Sequence, residues 1–382
     1  MSDSVPDGWK SVKLDDVAEE TSDRVDNPSK SGYDRFIGLE HLDSGELTVR
    51  RWGSTADLLS AMKLFKCGDI LIGRRNAYLK RASKVEFDGV CSGDAYVVRE
   101  KPGTIAEGLL PIILNSDSFW DYTIAHASGT MSKRAKWRDL AEYSFLLPSP
   151  EEQRRIATTL WAVEDCIVKG ERFVSVADLA KQVLLKGTFE KTLEHIPKNW
   201  EQISLSKCII ERSVGSQSPH KKTKYVGLEH FESGHNHLLG YADSRKFESN
   251  CSVFEKGDIL YGKLRPYLDK AAISDFGGIC TTEVIVLNAN EKTTNEFLIH
   301  LLHSKKFVEW ASHRSYGTKM PRTSIDLIGK YIFSLPPLPE QRQIAGILTR
   351  CDETIAAARA NVVAAKALKM KMINEMLSPE IG

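Results

Sequence analysis

The sequence predicts an α+β protein in which two repeated, mixed α/β domains are separated by two long helices that pair with each other. Three observations lead to this prediction. The 382 residues contain one unit written twice. Each copy alternates strand-like and helix-like stretches. Each copy also ends in a long segment whose apolar residues follow a heptad spacing.

The repeat covers nearly the whole chain, at an offset of about half its length. "FIGLEHLDSG" at 36–45 recurs as "YVGLEHFESG" at 225–234, and "FLLPSPEEQRRIATTL" at 145–160 recurs as "FSLPPLPEQRQIAGIL" at 333–348. Such a long period indicates a duplicated domain and not a short-period solenoid. Two copies with the same core residues must share a fold, and joined in one chain they can mimic a symmetric dimer.

The globular part of each copy, residues 1–149 and 189–337, combines both kinds of secondary structure. Short apolar runs bounded by Gly, Asn, Asp or Pro predict strands. These runs are "DILIG" at 69–73, "AYVVR" at 95–99, "DILYG" at 258–262 and "EVIVL" at 283–287. The stretches 104–127 and 294–313 have helical spacing. This mixture indicates a compact α+β domain in each copy.

Two long helices are predicted over 150–188 and 338–378. Ser149 can cap the first helix, Pro150 suits its first turn, and Glu152 completes a capping box with Ser149. The apolar residues expected to pair the helices are Ile156, Leu160, Val163 and Ile167 in the first, and Leu348, Cys351, Ile355 and Val362 in the second. A heptad seam is narrower than a core-facing stripe, so we expect an intramolecular coiled coil. The alternative is that each helix packs on its own globular domain.

The composition is that of an ordinary globular protein, with 42% apolar and 27% charged residues. The formal net charge of +1 does not indicate a type of partner, so any indication has to come from local clusters of charge. The seven cysteines form no C-x-x-C pair, which argues against a disulfide framework and a thiolate metal site. No apolar run reaches the ~20 residues that span a bilayer, and the first residues do not resemble a secretory signal. We therefore expect a cytoplasmic protein without a metal or membrane contact.

Residues 257–264, "GDILYGKL", contain most of the phosphate-binding pattern G-x-x-x-x-G-K-[ST]. A phosphate-binding loop needs a flexible turn between its glycines and a hydroxyl residue for magnesium. Here the inner residues Asp-Ile-Leu-Tyr predict a strand, and Leu264 occupies the hydroxyl position. The copy at 68–75, "GDILIGRR", also lacks the lysine. The sequence therefore predicts that neither stretch binds a nucleotide.

In both copies this strand is followed by a loop rich in basic and aromatic residues, and a second basic loop occurs later. Arginine and lysine neutralise phosphates and pair with guanine edges, asparagine reads adenine, and tyrosine packs on sugar or base. The candidate DNA-binding residues are Arg74, Arg75, Asn76, Tyr78, Lys80, Arg81, Lys133, Arg134, Lys136, Lys221, Lys222, Lys263, Arg265, Tyr267, Lys270, Lys319 and Arg322. A single charge cluster is commonly solvated surface. Recurrence at equivalent positions favours nucleic-acid binding, and different side chains on equal scaffolds suggest that two different sequences are read.

The other polar groups suggest no catalytic machinery. "GLEH" is identical at 38–41 and 227–230, but neighbours in a strand point to opposite faces, so its Glu and His are interpreted as structural. Asp94 and Glu283 keep an acid at one position, without the E-x-K partner of a nuclease. Two alternatives stay open at this point. One is a DNA-cleaving or nucleotide-hydrolysing enzyme with a duplicated fold, and the other is a coiled-coil adaptor that binds only protein.

The duplicated unit resembles the specificity subunit of type I restriction-modification systems. The resemblance is carried by L-P-x-x-x-E-Q-R-x-I-A-x-x-L at 147–160 and 335–348, and by the "GLEH…GDIL" framework of each copy. It implies two target recognition domains, 1–149 and 189–337, held apart by an antiparallel pair of conserved helices. By this resemblance, each domain reads one half of a split double-stranded DNA sequence.

The resemblance also implies partners and cofactors. The conserved helices of such a subunit hold two methylation subunits, which carry S-adenosylmethionine. Restriction subunits of the same system carry ATP and Mg²⁺. The chain itself is then expected to be a non-catalytic DNA reader and assembly scaffold with no cofactor of its own.

Overall fold

The computed structural model describes most of the chain, and its internal contacts form two compact units. The described residues are 8–129, 132–190, 196–212, 215–216, 223–243 and 250–378. Unit 1 consists of Met1–Glu171 and Ala360–Gly382, and unit 2 consists of Arg172–Arg359. Each unit therefore combines one globular domain with part of each long helix. The mixture of strands and helices confirms the predicted fold class.

Unit 1 has three sheets among its described residues. The strands are β1 (Lys10–Lys13), β2 (Ala18–Thr21), β3 (Arg24–Val25), β4 (Arg35–Ile37), β5 (Gly53–Ser54), β6 (Met62–Phe65), β7 (Ile70–Gly73), β8 (Ala82–Lys84), β9 (Gly89–Cys91), β10 (Ala95–Glu100) and β11 (Ser144–Leu147). The helices are α1 (Leu14–Val17), α2 (Leu110–Ile113), α3 (Asp117–His126), α4 (Trp137–Ala141) and the start of α5 (Pro150–Phe189). The strand orders are β1-β11, β2-β10-β7-β8 and β3-β6-β9-β4-β5. β4 and β9 pair in parallel, and the other neighbours are antiparallel.

Unit 2 repeats this topology strand for strand. The strands are β12 (Glu201–Ser204), β13 (Ile209–Glu211), β14 (Gly215–Ser216), β15 (Lys224–Val226), β16 (Ala242–Asp243), β17 (Cys251–Phe254), β18 (Ile259–Gly262), β19 (Ala271–Ile273), β20 (Gly278–Thr281), β21 (Val284–Ala289) and β22 (Ile332–Leu335). The helices are α6 (Asn295–Leu302), α7 (Lys305–His313), α8 (Ile325–Ile328) and α9 (Leu338–Met376). The strand orders are β12-β22, β13-β21-β18-β19 and β14-β17-β20-β15-β16. The duplication read from the sequence is thus a duplication of the fold.

The strand after each "GD" pair lies in the core of its unit. β7 and β18 are buried along their whole length. The carboxylate of Asp69, just before β7, accepts hydrogen bonds from the Lys66 N–H and from the Arg99 guanidinium, each at 2.8 Å. Asp258 has the same place before β18 and accepts from Arg212 Nε at 2.8 Å. The inner residues of "GDILYGKL" are therefore a buried strand and its entry turn, as predicted, and not a phosphate-binding loop.

The first turns of each long helix pack on the core of their own unit. In unit 1, Ile156 and Leu160 of α5 are fully buried in one cluster with Phe119 of α3. In unit 2, Leu348 of α9 is buried in one cluster with Phe297 of α6. The same clusters also contain Ile373 of α9 in unit 1 and Leu185 of α5 in unit 2, so the first turns of each long helix pack both on their own domain and beside the other long helix. The apolar contact fixes the direction in which each helix leaves the domain.

The start of α5 has the predicted cap in part. The helix begins at Pro150, and the Ser149 hydroxyl accepts a hydrogen bond from the Glu152 N–H at 3.3 Å. The Glu152 carboxylate binds Arg155 at 2.7 Å, so the reciprocal half of a capping box is replaced by an ion pair within the helix. The cap satisfies one of the free N–H groups of the first turn.

The glutamine of each E-Q-R motif ties the helix to the domain. Gln153 donates to the Pro148 carbonyl and accepts from the Ala106 N–H, both at 2.8 Å. Gln341 likewise donates to the Pro336 carbonyl at 2.8 Å. Both side chains are buried, so an apolar replacement would leave backbone groups without partners, at a cost of about 1–3 kcal/mol each. The motif that carries the family resemblance is therefore structural.

In unit 1 the two long helices run antiparallel. Glu164 of α5 binds Lys369 of α9 at 2.6 Å, and Glu171 binds Lys366 at 2.7 Å. Residue numbers rise along one helix while they fall along the other. Glu164 and Lys369 are almost fully buried, and their charges are balanced inside the protein, where Glu164 binds both Lys369 and Arg50.

In unit 2 the helices pair in the same direction. Lys181 of α5 binds Asp352 of α9, and Asp178 binds Arg359 at 2.7 Å. The antiparallel pairing implied by the family resemblance is thus present in each unit.

The predicted seam residues between these ion pairs differ in burial. Ile167 and Ile355 are buried, whereas Val163, Cys351 and Val362 are half-buried. Close approach is possible at Gly170 of unit 1, since a Cβ atom there would lie 2.8 Å from Val362 Cγ2. Within the part of the chain that the structure describes, neither the long helices nor the short ones are long and apolar enough to cross a membrane.

Candidate nucleic-acid interface

Two basic loops that are distant in sequence meet in unit 1. The loop after β7 and the loop before α4 exchange backbone hydrogen bonds. The Asn76 N–H donates to the Lys133 carbonyl at 3.0 Å, and the Ala135 N–H donates to the Arg74 carbonyl at 2.9 Å. We call residues 74–81 and 132–136 together the basic tip of domain 1. The structure therefore joins two of the predicted clusters in one surface.

The equivalent loops meet in unit 2 by the same kind of contact. The Arg265 N–H donates to the Pro321 carbonyl at 2.7 Å, and the Thr323 N–H donates to the Lys263 carbonyl at 3.0 Å. We call residues 263–270 and 319–323 together the basic tip of domain 2. The third predicted cluster, at Lys221 and Lys222, lies outside the described residues.

Both tips use the same unusual backbone conformation. Asn76 and Lys80 have φ angles of 56° and 47°, and Arg265 and Asp269 have φ angles of 52° and 49°. Left-handed backbone costs roughly 1–2 kcal/mol for most L-residues, and asparagine adopts it most readily. A loop conformation that recurs without glycine is held by its surroundings, here by the backbone contacts to the second loop.

The tips expose aromatic and basic side chains next to each other. Tyr78 is 65% exposed and Tyr267 is 53% exposed. The exposed cations are Arg75, Lys133, Arg134, Lys136 and Lys319, and the half-buried candidates are Arg74, Asn76, Lys263, Arg265 and Arg322. Adjacent cations and aromatic rings suit a phosphate backbone and its sugars or bases.

Asp94 organises three arginines of the basic tip of domain 1. Its carboxylate lies 3.5 Å from Arg74 Nε, 3.5 Å from Arg75 Nη1 and 3.6 Å from Arg134 Nη2. The Arg74 N–H also donates to the Asp94 carbonyl at 3.0 Å. One carboxylate cannot neutralise three guanidinium groups, so the tip stays positive while its arginines are held in fixed directions.

Glu283 occupies the corresponding position in the basic tip of domain 2, where its carboxylate holds one arginine. Its carboxylate lies 3.0 Å from Arg322 Nε and raises the pKa of that guanidinium through the hydrogen bond. The Lys263 N–H donates to the Glu283 carbonyl at 2.8 Å. Sequence reasoning noted both acids and missed this role. The available signal was an acid kept in both copies close to loops that are otherwise basic.

Besides the arginines beside Asp94 and Glu283, other predicted cations are engaged by the protein itself, among them Lys263, whose ammonium donates to the Thr282 carbonyl at 2.7 Å. Lys80 binds Asp117 at 2.7 Å. The Arg81 guanidinium donates to the leucine carbonyl of "GLEH" in copy one at 2.8 Å, and Lys270 donates to the same carbonyl in copy two at 2.6 Å. These side chains hold the basic tips on their domains.

The prediction that "GLEH" lies in a strand is wrong. In both copies the three residues after the glycine form a 3₁₀ turn. His41 Nδ1 accepts the Gly38 N–H at 2.9 Å, and His230 Nδ1 accepts the Gly227 N–H at 2.9 Å. The histidine side chain closes the turn, and this contact replaces a strand hydrogen bond. Its Nδ1 is thereby used, which agrees with the structural interpretation of the motif.

A polar cavity of 630 Å³ opens beside the basic tip of domain 1. Its lining includes Arg74, Asp94, Tyr96 and Trp137. Burial raises the pKa of Tyr96, so the phenol stays protonated and donates to the Ala135 carbonyl at 3.0 Å. Sequence reasoning did not single out Tyr96, because an aromatic residue within an apolar strand is typical of a core.

The described residues contain no group of three or more His, Cys, Asp or Glu side chains placed to hold a metal ion. Cys91 and Cys280 occupy equivalent positions and are fully buried. Burial raises the thiol pKa of each to about 12. Both are therefore small, protonated core side chains at neutral pH.

Residues 217–364 match the family model described as type I restriction modification DNA specificity domain. The chain is 27% identical over 242 residues to the EcoDI specificity subunit of a type I restriction enzyme from Escherichia coli, an alignment that spans 54% of each protein. It is 21% identical to the MjaVIII specificity subunit from Methanocaldococcus jannaschii over 99% of this chain and 94% of that one.

Solved structures show the same fold. The S subunit of a type I restriction-modification system from M. genitalium superposes with a TM-score of 0.63 at 13% identity, over 97% of this chain and 96% of that one. A chain from a structure of type I R-M complex assembly superposes with a TM-score of 0.57 at 19% identity, over 99% of each chain.

The duplicated domains and the paired helices are thus accompanied by likeness in sequence to specificity subunits of type I restriction enzymes, and by likeness in fold to the solved structures. The matched domain lies in the second copy of the duplicated unit, and the similar proteins named above are specificity subunits.

Proposed function

We propose that the chain is the DNA sequence-recognition subunit of a type I restriction-modification complex, and that each domain reads one half of a bipartite target. One observation carries the proposal. Two loops, distant in sequence, form a basic and aromatic tip in both units, with the same backbone conformation and different side chains. Equal scaffolds with different contacts are what two independent readings of DNA require. The domains concerned are 1–149 and 189–337, with the conserved helices at 150–188 and 338–378.

The side chains of the basic tips divide by the contacts they can make. Exposed cations that are free to turn, such as Lys133 and Lys319, suit phosphates. Arg74 and Arg75 are directed by Asp94, so they suit partners with a fixed position, such as a guanine edge for Arg74 and a phosphate for the more exposed Arg75. Asn76 suits adenine. The cluster at 221–222 is kept in the proposal as a further phosphate contact.

The long helices supply a docking surface for the methylation subunits. Within unit 2, α5 exposes Phe173, Val176, Leu179 and Val183, each more than half accessible. These residues recur at helical spacing and form one apolar face. Within unit 1, α9 exposes Val363 and Leu368. The apolar face of α5 supports the docking of one methylation subunit, and the two-fold repeat of the chain supports a second.

The chain's own role in this proposal is recognition and assembly, without catalysis and without a cofactor. S-adenosylmethionine belongs to the methylation subunits, and ATP and Mg²⁺ belong to restriction subunits where these are present. The complex acts in the cytoplasm, where the DNA is. The match of residues 217–364 to a DNA specificity domain and the buried strand at 259–262 both weigh against a nucleotide-hydrolysing enzyme.

Mapping methylated sites in cells that express the chain with its methylation subunit tests the proposal. We expect a target made of two short sequences separated by unspecified base pairs. Replacing residues 1–149 by the same region of a relative should change one of the two sequences and leave the other. A map in which both halves change would show that the domains do not read independently, and an absence of sequence-specific methylation would remove the proposed function.

A further inference from the structure

The two long helices correspond residue by residue. The glutamines of the E-Q-R motifs, residues 153 and 341, set the offset at 188 (341 − 153 = 188). A residue of α5 therefore corresponds to the residue of α9 numbered 188 higher. This correspondence raises a question of partner choice, because a helix with a symmetric seam can pair with its own counterpart in a second copy of the chain.

The buried ion pairs do not distinguish the two helices. Glu164 binds Lys369 in unit 1, and Asp352 binds Lys181 in unit 2. By the offset of 188, the two acids correspond to each other and so do the two lysines. Each helix thus carries one acid and one lysine at the same places. Two copies of α5 could form these pairs as well as α5 and α9 do.

A second pair of contacts does distinguish them. Glu171 binds Lys366 at 2.7 Å in unit 1, and Asp178 binds Arg359 at 2.7 Å in unit 2. Residue 171 corresponds to 359, and 178 corresponds to 366. At these corresponding positions α5 carries two acids and α9 carries two bases.

We propose that these two ion pairs select the helix partner: they let α5 pair with α9 and oppose the pairing of either helix with the same helix of a second copy. Two α5 helices would place Glu171 of one copy against Asp178 of the other, twice. Two α9 helices would place Arg359 against Lys366, twice. Like charges at such contacts are repulsive, and opposite charges flanking an apolar seam are a known way to fix partner choice in coiled coils.

The domain 1 loop at 46–50 is matched to this arrangement. Glu46 binds Lys366 at 2.7 Å, and Arg50 binds Glu171. If a second α5 took the place of α9, the acid at 178 would face Glu46 in place of a base. The loop therefore adds to the selection from outside the helices. The inference concerns the folding and assembly of the chain and does not depend on its proposed function.

Two charge variants of the full chain test the inference. The acidic variant, Arg359→Glu with Lys366→Glu, makes both helices acidic. The basic variant, Glu171→Lys with Asp178→Lys, makes both basic. The two variants are co-expressed with different affinity tags, and capture of one is scored by recovery of the other. We expect several-fold more mutual capture than between two tagged wild-type chains, because only an exchange of helices between the copies places opposite charges at both helix–helix pairs.

Matched controls make the same charge changes in pairs that lie within one helix. Lys169 binds Asp165 in α5 at 2.6 Å, and Lys371 binds Glu375 in α9 at 3.6 Å. The control chains carry Lys169→Glu with Lys371→Glu, and Asp165→Lys with Glu375→Lys. They should capture each other no more than wild type does. Equal capture by the test and control combinations would overturn the proposal.

A second measurement covers the case in which the doubly charged variants fold poorly. Asp178 and Arg359 are each about 40% accessible, so single changes there leave the core intact. Asp178→Arg should lower the midpoint of thermal unfolding, and Asp178→Arg with Arg359→Asp should recover most of the loss. A double variant that is as unstable as the sum of both single variants would also overturn the proposal.

Discussion

The carboxylate of Asp94 lies 3.6 Å from the guanidinium of Arg134, although the helical stretch 104–127 separates the two residues in the sequence. The same carboxylate lies 3.5 Å from Arg74 and from Arg75. An acid at the centre of the proposed DNA-binding surface reduces the positive charge of that surface. Both copies nevertheless carry an acid at this position. We infer that its carboxylate orients arginine side chains, although it also weakens the attraction of the surface for phosphate.

Asp94→Asn should separate the effect of arginine orientation on sequence discrimination from the effect of positive charge on DNA affinity. Removing the negative charge leaves non-specific DNA binding unchanged or stronger, whereas discrimination against a target with one altered base pair should fall by roughly tenfold, since one mismatch costs about 1–3 kcal/mol. Competition between target and altered DNA measures this ratio. Glu283→Gln should do the same for the other half of the target only. A loss of affinity for both DNAs in equal measure would assign Asp94 to folding.

Arg75→Ala should reduce the salt dependence of DNA binding by the assembled complex. Each phosphate contact contributes about 0.9 to the slope of log K against log salt concentration. The matched control is Lys80→Ala in the same tip, because Lys80 already binds Asp117. The slope should fall for the first variant and stay the same for the second. Equal slopes for Arg75→Ala and wild type would place Arg75 outside the phosphate contacts.

Val183→Asp should weaken capture of the methylation subunit. Val183 is 63% exposed, so the free chain loses little stability, whereas a charge buried by a docked apolar partner is costly. Gln182→Asp is the control, since this exposed neighbour points about 100° away around the helix. Co-purification of the methylation subunit with each variant gives the comparison. Loss of co-purification with both variants would indicate a general effect of added negative charge on α5 and not a docking contact at Val183.

The stability of unit 2 should fall in acid because of His300. Desolvation lowers the pKa of this buried imidazole from 6.5 to about 3. Between those values the unfolded chain binds a proton that the folded chain does not, so unfolding becomes easier by up to about 1.4 kcal/mol per pH unit below pH 6.5. Copy one carries Ile112 at the corresponding place. His300→Ile should remove this part of the pH dependence of the thermal unfolding midpoint between pH 7 and pH 4. If the midpoint of the variant changes with pH as steeply as that of wild type, the pH dependence comes from other groups.

The helix pair offers a way to test what sets the gap between the two half-sequences. Glu171 binds Lys366, and Asp178 binds Arg359. An insertion of one heptad between these two levels, after Val174 in α5 and after Arg359 in α9, lengthens both helices and breaks neither pair. The seam stays in register because the inserted segment is a whole heptad.

One heptad adds ~10.5 Å of helix, which equals roughly three base pairs of B-DNA at about 3.4 Å each. We expect a methylation target that keeps both half-sequences and gains about three base pairs between them. Binding should also weaken, because three base pairs rotate the far half-site by about 100°. If the longer chain assembles and methylates at the original gap, the helices do not set the spacing.

Sequence reasoning succeeded where the physical signal is local or repeated. The buried strands at 70–73 and 259–262, the long helices and the basic loops all follow from composition and spacing along the chain. It failed for "GLEH", because the 3₁₀ turn is closed by a histidine side chain and not by backbone preference. It also could not tell Lys80, which binds Asp117, from Lys133, which is exposed. That difference depends on which elements the fold brings together, and spacing along the chain does not contain it.

The basic tips are held together by main-chain hydrogen bonds, such as Asn76 to Lys133 and Arg265 to Pro321. Such bonds are indifferent to the identity of the side chains they join. Mutation can therefore replace the residues that face outwards while the loops keep their shape. In evolutionary terms, the sequence that a domain recognises can change while selection preserves the fold of the domain. Two domains that descend from one ancestral domain can therefore come to recognise different DNA sequences without a loss of folding.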